Sequence, residues 1–482
     1  MLQQLTMRIG GKPVEALDGR RFDTIDPFTG LAWASIPRAG PADVDFAVNA
    51  AHNQFESGQW SQTSAAERGR LLNAIAALIA AEAMQLAEVE VRDNGKLLRE
   101  MLGQVQAMAG WFTYFGGLAD KVEGVVTPTD QSGLFHYIRY EPLGVIAAII
   151  PWNAPLLLTT FKLAPALAAG NTIVIKPSEH ASASILALAD LCERAGIPPG
   201  VINVITGYAT EAGQPLVSHP LVSRVAFTGG QDGGRAVYQA AAHSLKAVSL
   251  ELGGKTPCIV FEDADLEEAA AGVIRGIFAG GGQTCMATSR VLVHSSLHDA
   301  FVARLVVLAE AMNLGDPRLP DTHMGPIATR HQFDKVLAYI ADAKAEGANC
   351  VTGGRRSSGP ATAAGWYVEP TIFTHVSNSM RIAREEVFGP VLAVIKFESE
   401  EEAVDIANDS PFGLAAAIWT RDLRRAMKLP SRLKVGTVWV NTCRVTSHMA
   451  PFGGFKQSGI GREGGQEGIR EYMAAKSVFV SS

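Results

Sequence analysis

Cysteine is scarce. The 482 residues hold five, namely Cys192, Cys258, Cys285, Cys350 and Cys443. They are far apart, odd in number and never spaced C-x-x-C, which speaks against a disulfide framework or a zinc site and for a reducing compartment. Basic runs are lacking as well. The net charge is −6, so neither nucleic acid nor an anionic membrane surface is an expected partner. No apolar stretch is long enough for a membrane span, which needs about 20 such residues. The most apolar one, from Leu143 to Phe161, is interrupted by Pro151, Asn153 and Pro155. The start of the chain, Met1 to Arg8, has no apolar core of a secretory signal, so the expected location is the cytoplasm. No short tandem repeat, low-complexity linker, G-x-G-x-x-G fingerprint or P-loop is found.

What is present is a chain 47% apolar with an ordinary charged fraction. That excludes a disordered chain, and the length requires two or three domains. After a short strand region, Ser64-Ala-Ala-Glu67 reads as a capping box. Leu71, Leu72, Ile75, Leu78 and Ile79 then continue at helical spacing, which predicts a helix running to Asn94-Gly95. From Gly144 onward, Val/Ile-rich runs alternate with helical segments. The strand candidates are Val145–Ile150, Thr172–Lys176, Val201–Ile205, Arg224–Phe227 and Ala247–Leu250. This is the signature of a parallel sheet with helices on both faces, which binds ligands at its strands' carboxyl ends. A second α/β series covers Pro257–Phe261, Val291–Val293, Val391–Phe397, Ala415–Trp419 and Thr437–Val440. Leu134–Tyr140 and Ser477–Val480 belong to neither core. As apolar edge strands they need cover, from a partner subunit or by pairing within the same chain.

Five segments could carry chemistry, and each has a plainer reading. Cys285 follows Gly280-Gly-Gly-Gln-Thr and precedes Met-Ala-Thr-Ser-Arg290. Its glycines allow close backbone approach, and a polar, accessible setting suits a reactive thiol. The other four cysteines read as core residues. Glu251, between two leucines at a strand end, is either a desolvated general base or a solvent-facing carboxylate. Asn153, in Pro151-Trp-Asn-Ala-Pro155, either donates to an oxyanion or makes an Asx turn. Phe227-Thr-Gly-Gly-Gln-Asp-Gly-Gly234 is either a phosphate-binding helix entry or an ordinary glycine turn. Lys176-Pro-Ser-Glu179 either grips ribose hydroxyls or forms a surface pair.

In order along the chain stand Pro-Trp-Asn153, Lys176-Pro-Ser-Glu179, Phe-Thr-Gly229, Glu251-Leu-Gly-Gly, Gly-Gln-Thr-Cys285, Glu386-Val-Phe-Gly-Pro390 and Pro451-Phe-Gly-Gly-Phe-Lys456-Gln-Ser-Gly459. This series resembles the NAD(P)-dependent aldehyde dehydrogenase superfamily over essentially the whole chain. The resemblance implies an α/β subunit of the aldehyde dehydrogenase-like fold. It would have a Rossmann-like NAD-binding domain (1–122 and 142–251), an α/β catalytic domain (252–467) and a small β oligomerisation flap (123–141 and 468–482). It also implies a homodimer or homotetramer.

The implied reaction is NAD-dependent oxidation of an aldehyde to a carboxylic acid. Cys285 attacks, the Asn153 amide and the Cys285 N–H hold the oxyanion, and Glu251 activates the water that hydrolyses the thioester. Lys162 matches a family lysine near the active site. Lys176 and Glu179 would hold the adenosine ribose, with Glu179 favouring NAD over NADP. Glu386 would hold the nicotinamide ribose with Phe388 beside it, while Trp152, Gly229, Gly230 and Gly234 shape the cofactor cleft. Gly230 departs from the serine of many members, which removes one hydroxyl contact. Ala154, Leu158, Phe161, Thr284, Met286, Arg444 and Thr446 would line the aldehyde channel. Ala154 and Thr446 replace aromatics there and imply a wide pocket for a bulky or cyclic aldehyde. Arg444 either adds a charge at the mouth that pairs with an acidic substrate, or faces solvent or a neighbouring subunit. No metal is implied. A CoA-acylating semialdehyde dehydrogenase would lack Glu251, and a non-catalytic cofactor-binding homologue need not keep both Cys285 and Glu251.

Overall fold

The computed structural model describes residues 2–481. Among these, the strands form two large sheets and three small ones. The first large sheet has eight strands. Its parallel centre runs in the order Ala247–Glu251, Val222–Thr228, Val145–Ile150, Thr172–Pro177, Ile202–Val204. All five strand candidates of this series are therefore strands, to within two residues at each end. Side chains alternate across a strand, and here both faces are covered. Ile146, Ala148 and Ile150 enter a core with Leu72, Phe112 and Leu167 from three helices. Val145 and Ala147 enter another with Val44, Val48 and Val237. That two-sided burial explains the near-continuous apolar run.

The second sheet has seven strands, in the order Asn349–Thr352, Thr371–Thr374, Val391–Phe397, Arg290–His294, Pro257–Val260, Ala415–Trp419, Thr437–Val440. Only its first pair is antiparallel. It too divides its side chains between two cores, Ile259 to one and Cys258 and Val260 to the other. The two strands at its Asn349 edge were not expected; they are only four residues each. The sheets are not strung in series, because Gly459–Ile460 returns from beyond the second sheet to pair with Leu250 and Glu251 of the first.

The two orphan segments pair with each other. Met473–Ser481 runs antiparallel to Leu134–Pro142 over nine residues, with Val125–Val126 beyond. The helix expected from Ser64 to Gly95 is two helices, Ala65–Ala81 and Ala83–Asn94. Glu82 leaves helical geometry (φ −110°, ψ 18°) at the break, and its carboxylate binds Arg194 at 2.7 Å. Ser64 caps the first helix by accepting the Glu67 N–H at 3.2 Å, but the Glu67 carboxylate turns to Arg70, so the box is half made. Gly95 closes the second helix in the left-handed region (φ 71°) as expected. Leu143–Phe161 is a strand, a turn and a helix. Among the described residues no helix is long and apolar enough to cross a membrane.

Candidate active site

The carboxyl ends of the first sheet face the loops of the second across a cleft of about 180 Å³. Trp152, Asn153, Leu158, Gly229, Gly230, Glu251, Cys285, Glu386 and Phe388 all line it. Residues separated by more than two hundred positions thus meet in one place.

Cys285 is presented by a left-handed glycine turn. After helix Leu266–Phe278 the chain passes through Gly280, Gly281 and Gly282 at φ 65°, 64° and 70°. Only glycine takes this region without penalty. Gly282 is needed for a second reason, since a β-carbon there would lie 2.1 Å from the Gly389 carbonyl oxygen. This close approach locks the nucleophile's turn to the loop that carries Glu386 and Phe388. Gln283, buried, pins the turn further. Its Nε2 donates to Gly280 and Pro326 carbonyls at 3.2 and 3.3 Å, and its Oε1 accepts the Ala328 N–H at 2.8 Å. The Gln283 carbonyl accepts from Asn153 Nδ2 at 3.2 Å. One amide hydrogen of Asn153 is thereby used and the other is left to point elsewhere.

The thiol lines a cleft with the polar side chains of Asn153, Glu251 and Glu386, and it is only partly open to solvent. Cys285 is half-buried, and desolvation, with the Glu386 and Glu251 carboxylates adding to it, pushes the thiol up to about 12. A thiol in that state is protonated at neutral pH and needs a base to become nucleophilic.

Glu251 is the last residue of its strand and is 5% exposed. Among the described residues neither of its carboxylate oxygens has a hydrogen-bond partner. Burial first, and the Glu463 carboxylate second, hold its carboxyl well above the ordinary range, against Lys162 and Arg462. Lys162 is fully buried and does not enter the cleft lining. It donates to Glu463 at 2.5 Å and to Thr228 Oγ1 at 2.6 Å.

The cofactor candidates divide between the cleft and two further hollows. Gly230 caps helix Gln231–Ala242 with extended backbone. A β-carbon on Gly229 would strike the Phe227 ring at 2.5 Å, and one on Gly234 would strike Leu252 at 2.6 Å, so both keep the turn close to the sheet. A cavity of about 480 Å³ beside this helix is lined by Lys176, Phe227, Gly233 and Val237. Lys176 is buried, and desolvation lowers its amine, opposed by Glu179 at 3.5 Å. Glu179 itself lines a separate hollow with His180 and Thr329. On the other side, Glu386 Oε1 accepts the Gly254 N–H at 3.0 Å, and burial raises its carboxyl to about 7. Phe388 is left-handed (φ 56°) and meets Trp152 edge-on at 5.4 Å.

Gln332 and Lys335 also line the cleft and went unnoticed in the sequence. Gln332 Nε2 donates to the Val387 and Phe388 carbonyls at 2.8 and 2.9 Å, which holds the strained Phe388 in place. Both sit on helix Arg330–Ala345, where polar residues ordinarily read as a solvated face, and no local signal separates them.

Of the channel residues, Leu158 lines the cleft and Ala154 and Thr284 are buried nearby in sequence to Asn153 and Cys285. Phe161 is buried and stacks on Trp111 at 3.9 Å between ring centres. Met286 is half-buried against the second sheet's core, and Thr446 is exposed. Arg444 is neither a free charge at the mouth nor turned to solvent. Its Nη1 donates to the Ala279 and Arg275 carbonyls at 2.9 and 3.3 Å. The unpaired carbonyls at the end of helix Leu266–Phe278 draw it inward.

Comparison with known proteins agrees with this arrangement. The family model described as "Aldehyde dehydrogenase family" matches residues 14–478. An aldehyde dehydrogenase of Davidiella tassiana is 44% identical over 98% of this chain and 94% of its own length. The (Z)-2-((N-methylformamido)methylene)-5-hydroxybutyrolactone dehydrogenase of Acinetobacter baylyi is 42% identical, covering 99% of this chain and 97% of that protein. Among solved structures, betaine aldehyde dehydrogenase from Staphylococcus aureus in complex with NAD+ superposes with a TM-score of 0.98 at 40% identity, covering 99% of this chain and 95% of that one. Family match, relatives and fold agree over nearly the full length: the chain belongs to the aldehyde dehydrogenase family.

Proposed function

We propose that the chain oxidises an aldehyde to a carboxylic acid with NAD, through a thioester on Cys285 that water, activated by Glu251, hydrolyses. The observation that carries this reading is the buried, unpartnered Glu251 carboxylate in the same cleft as Cys285 and Asn153. Desolvation makes it a strong enough base to take a proton from the thiol, and later from water, near neutral pH. The free amide hydrogen of Asn153, with the Cys285 N–H, supports the oxyanion that forms when sulfur adds to the carbonyl. Splitting the oxidation into acylation and hydrolysis is the gain of covalent catalysis.

The residues fit a dinucleotide. The glycine-lined helix entry at Gly230 suits a pyrophosphate, and the cavity at Lys176 and Val237 suits the adenosine end. Lys176 and Glu179 would hold its ribose, with Glu179 repelling a 2′-phosphate. Glu386, Phe388, Trp152 and Gly229 would hold the nicotinamide end, and Gly234 lets the helix pack close. NAD, when bound, supplies the hydride acceptor. The NAD complex of the Staphylococcus aureus relative supports the same choice. The short side chains of Ala154 and Thr446 favour a bulky or cyclic aldehyde over acetaldehyde, with Leu158, Phe161, Thr284 and Met286 completing the channel.

The cofactor domain is assigned to 1–122 and 142–251, the catalytic domain to 252–467, and an oligomerisation flap to 123–141 and 468–482. The exposed Val126 and Phe479 of the three-stranded sheet suit a homo-oligomeric contact. Five unpaired cysteines suit a cytoplasmic location. The test is an aldehyde panel ranked by kcat/KM with NAD and with NADP, with products identified in the presence and absence of CoA. Free acid in both arms is expected; an acyl-CoA product would overturn the role of Glu251.

A further inference from the structure

Helix Pro155–Ala169 begins two residues after Asn153 and does not cap itself. Its cap residue, Ala154, has no side-chain oxygen, and Pro155 has no N–H to donate. The Leu156 N–H is left over. Leu156 is 1% exposed, and a buried N–H without an acceptor is costly. The acceptor comes from another helix. Glu90, in helix Ala83–Asn94, accepts this N–H on Oε2 at 3.3 Å. Three residues on, Asp93 does the same for helix Ala183–Arg194, whose cap Ser182 makes no side-chain bond. Asp93 Oδ2 accepts the Ala183 N–H at 2.8 Å. One face of helix Ala83–Asn94 thus caps two helices that lack caps of their own.

Glu90 is 1% exposed. Among the described residues the Leu156 N–H is its only hydrogen-bond partner, because Oε1 has none. A carboxyl is costly to bury, and this one makes a single bond in return. Burial, with Asp93 adding and Lys96 and the Leu156 N–H opposing, holds it up to about 8. It is therefore the uncharged acid at neutral pH, and replacing it by an uncharged residue takes no charge from the region. The bond matters for what precedes it in the chain. Asn153 is anchored on one side by Nδ2, which donates to the Gln283 carbonyl at 3.2 Å. On the other side only Ala154 and Pro155 separate it from the turn that Glu90 closes.

We infer that Glu90 is a positioning residue for the oxyanion site: by capping helix Pro155–Ala169 from a neighbouring helix, it fixes the Asn153 amide against the Cys285 turn. The inference rests on the reading of Asn153 as an oxyanion donor. The test is the single-turnover rate of NADH formation by the full chain, at saturating NAD and aldehyde, in single and double variants. Glu90→Leu should slow this step about tenfold, part of the roughly 10²-fold that a misplacement of about 1 Å can cost. Glu90→Gln keeps the acceptor and should stay close to the native rate. Asn153→Ala should slow the step by roughly 10²-fold or more. Since Glu90 acts through Asn153, adding Glu90→Leu to Asn153→Ala should cost nothing further. A merely structural role would slow both backgrounds equally. A native rate in Glu90→Leu, an equal loss in both backgrounds, or a loss in Glu90→Gln as large as in Glu90→Leu overturns the inference. If Glu90→Leu does not fold, Glu90→Asp decides, because its shorter side chain draws the acceptor back from Leu156. A loss seen only where Asn153 is present supports the inference, and an unchanged rate or a loss in both backgrounds overturns it. A native rate in Asn153→Ala would remove the oxyanion reading and this inference with it. A slow Asn153→Ala beside a native Glu90→Leu removes this inference alone.

Discussion

Glu251 and Cys285 face the same cleft but are built in opposite ways. Glu251 ends a central strand whose register is fixed on both sides, by Thr228 and by Gly459. Its position needs no strain, and its reactivity comes from being walled off from water. Cys285 hangs on three left-handed glycines that are held by side chains from distant segments. Ordinary sheet geometry supplies the base, while a left-handed glycine turn, held by its neighbours, supplies the nucleophile. The first should tolerate change in its surroundings better than the second.

The largest effect expected is from Cys285→Ala, which should abolish oxidation and acyl-enzyme formation while NAD binding, followed by tryptophan fluorescence, stays nearly intact. Glu251→Gln should lower steady-state turnover by roughly 10²-fold or more, the usual scale for losing a general base. If its dominant role is hydrolysis, a rapid-mixing experiment will show the NADH burst surviving; loss of the burst would assign it to activating the thiol as well. Gly282→Ala probes the turn directly. It combines a positive φ with a 2.1 Å approach to the Gly389 oxygen, so it should lower both Tm and kcat. A native-like kcat would show that the turn is less constrained than the strand.

A smaller effect concerns pH. Glu386 is raised to about 7 by burial, so the folded protein keeps this proton to higher pH than the unfolded chain does. The sign follows from linkage: the group's contribution to stability falls as pH rises from the ordinary carboxyl value through about 7. NAD affinity should move the other way, improving as the carboxylate forms to accept ribose hydroxyls. Glu386→Gln should flatten both trends, measured by thermal unfolding and by NAD titration across that window. The smallest effect is expected at Gly230, where, among the described residues, nothing lies within 4 Å of an added β-carbon. Gly230→Ser should leave Tm unchanged and lower the KM for NAD a few-fold. A large destabilisation would show the helix entry to be as tightly built as the nucleophile's turn.

Much of this was legible along the chain. Short Val/Ile-rich runs marked the central strands, because buried parallel strands must be apolar on both faces. Asn94-Gly95 marked a helix end, because few residues but glycine accept the left-handed cap. Glu251 at a strand end between two leucines was legible as a candidate, but only the fold shows that its carboxylate is buried. The break at Glu82 was not legible, since Arg194, which holds its carboxylate, is more than a hundred residues away.

The sequence by itself determined the parallel centres of the two sheets, the glycines that certain backbone angles require, and the order of motifs that identifies the family. These are local properties of side-chain shape, polarity and backbone freedom. The tertiary structure decided the electrostatics. Whether Cys285 is solvated and whether Arg444 is a free charge depend on desolvation and on charges brought together from positions 251, 386 and 444. Desolvation and Coulomb interaction act through space, so they exist only once the chain has folded.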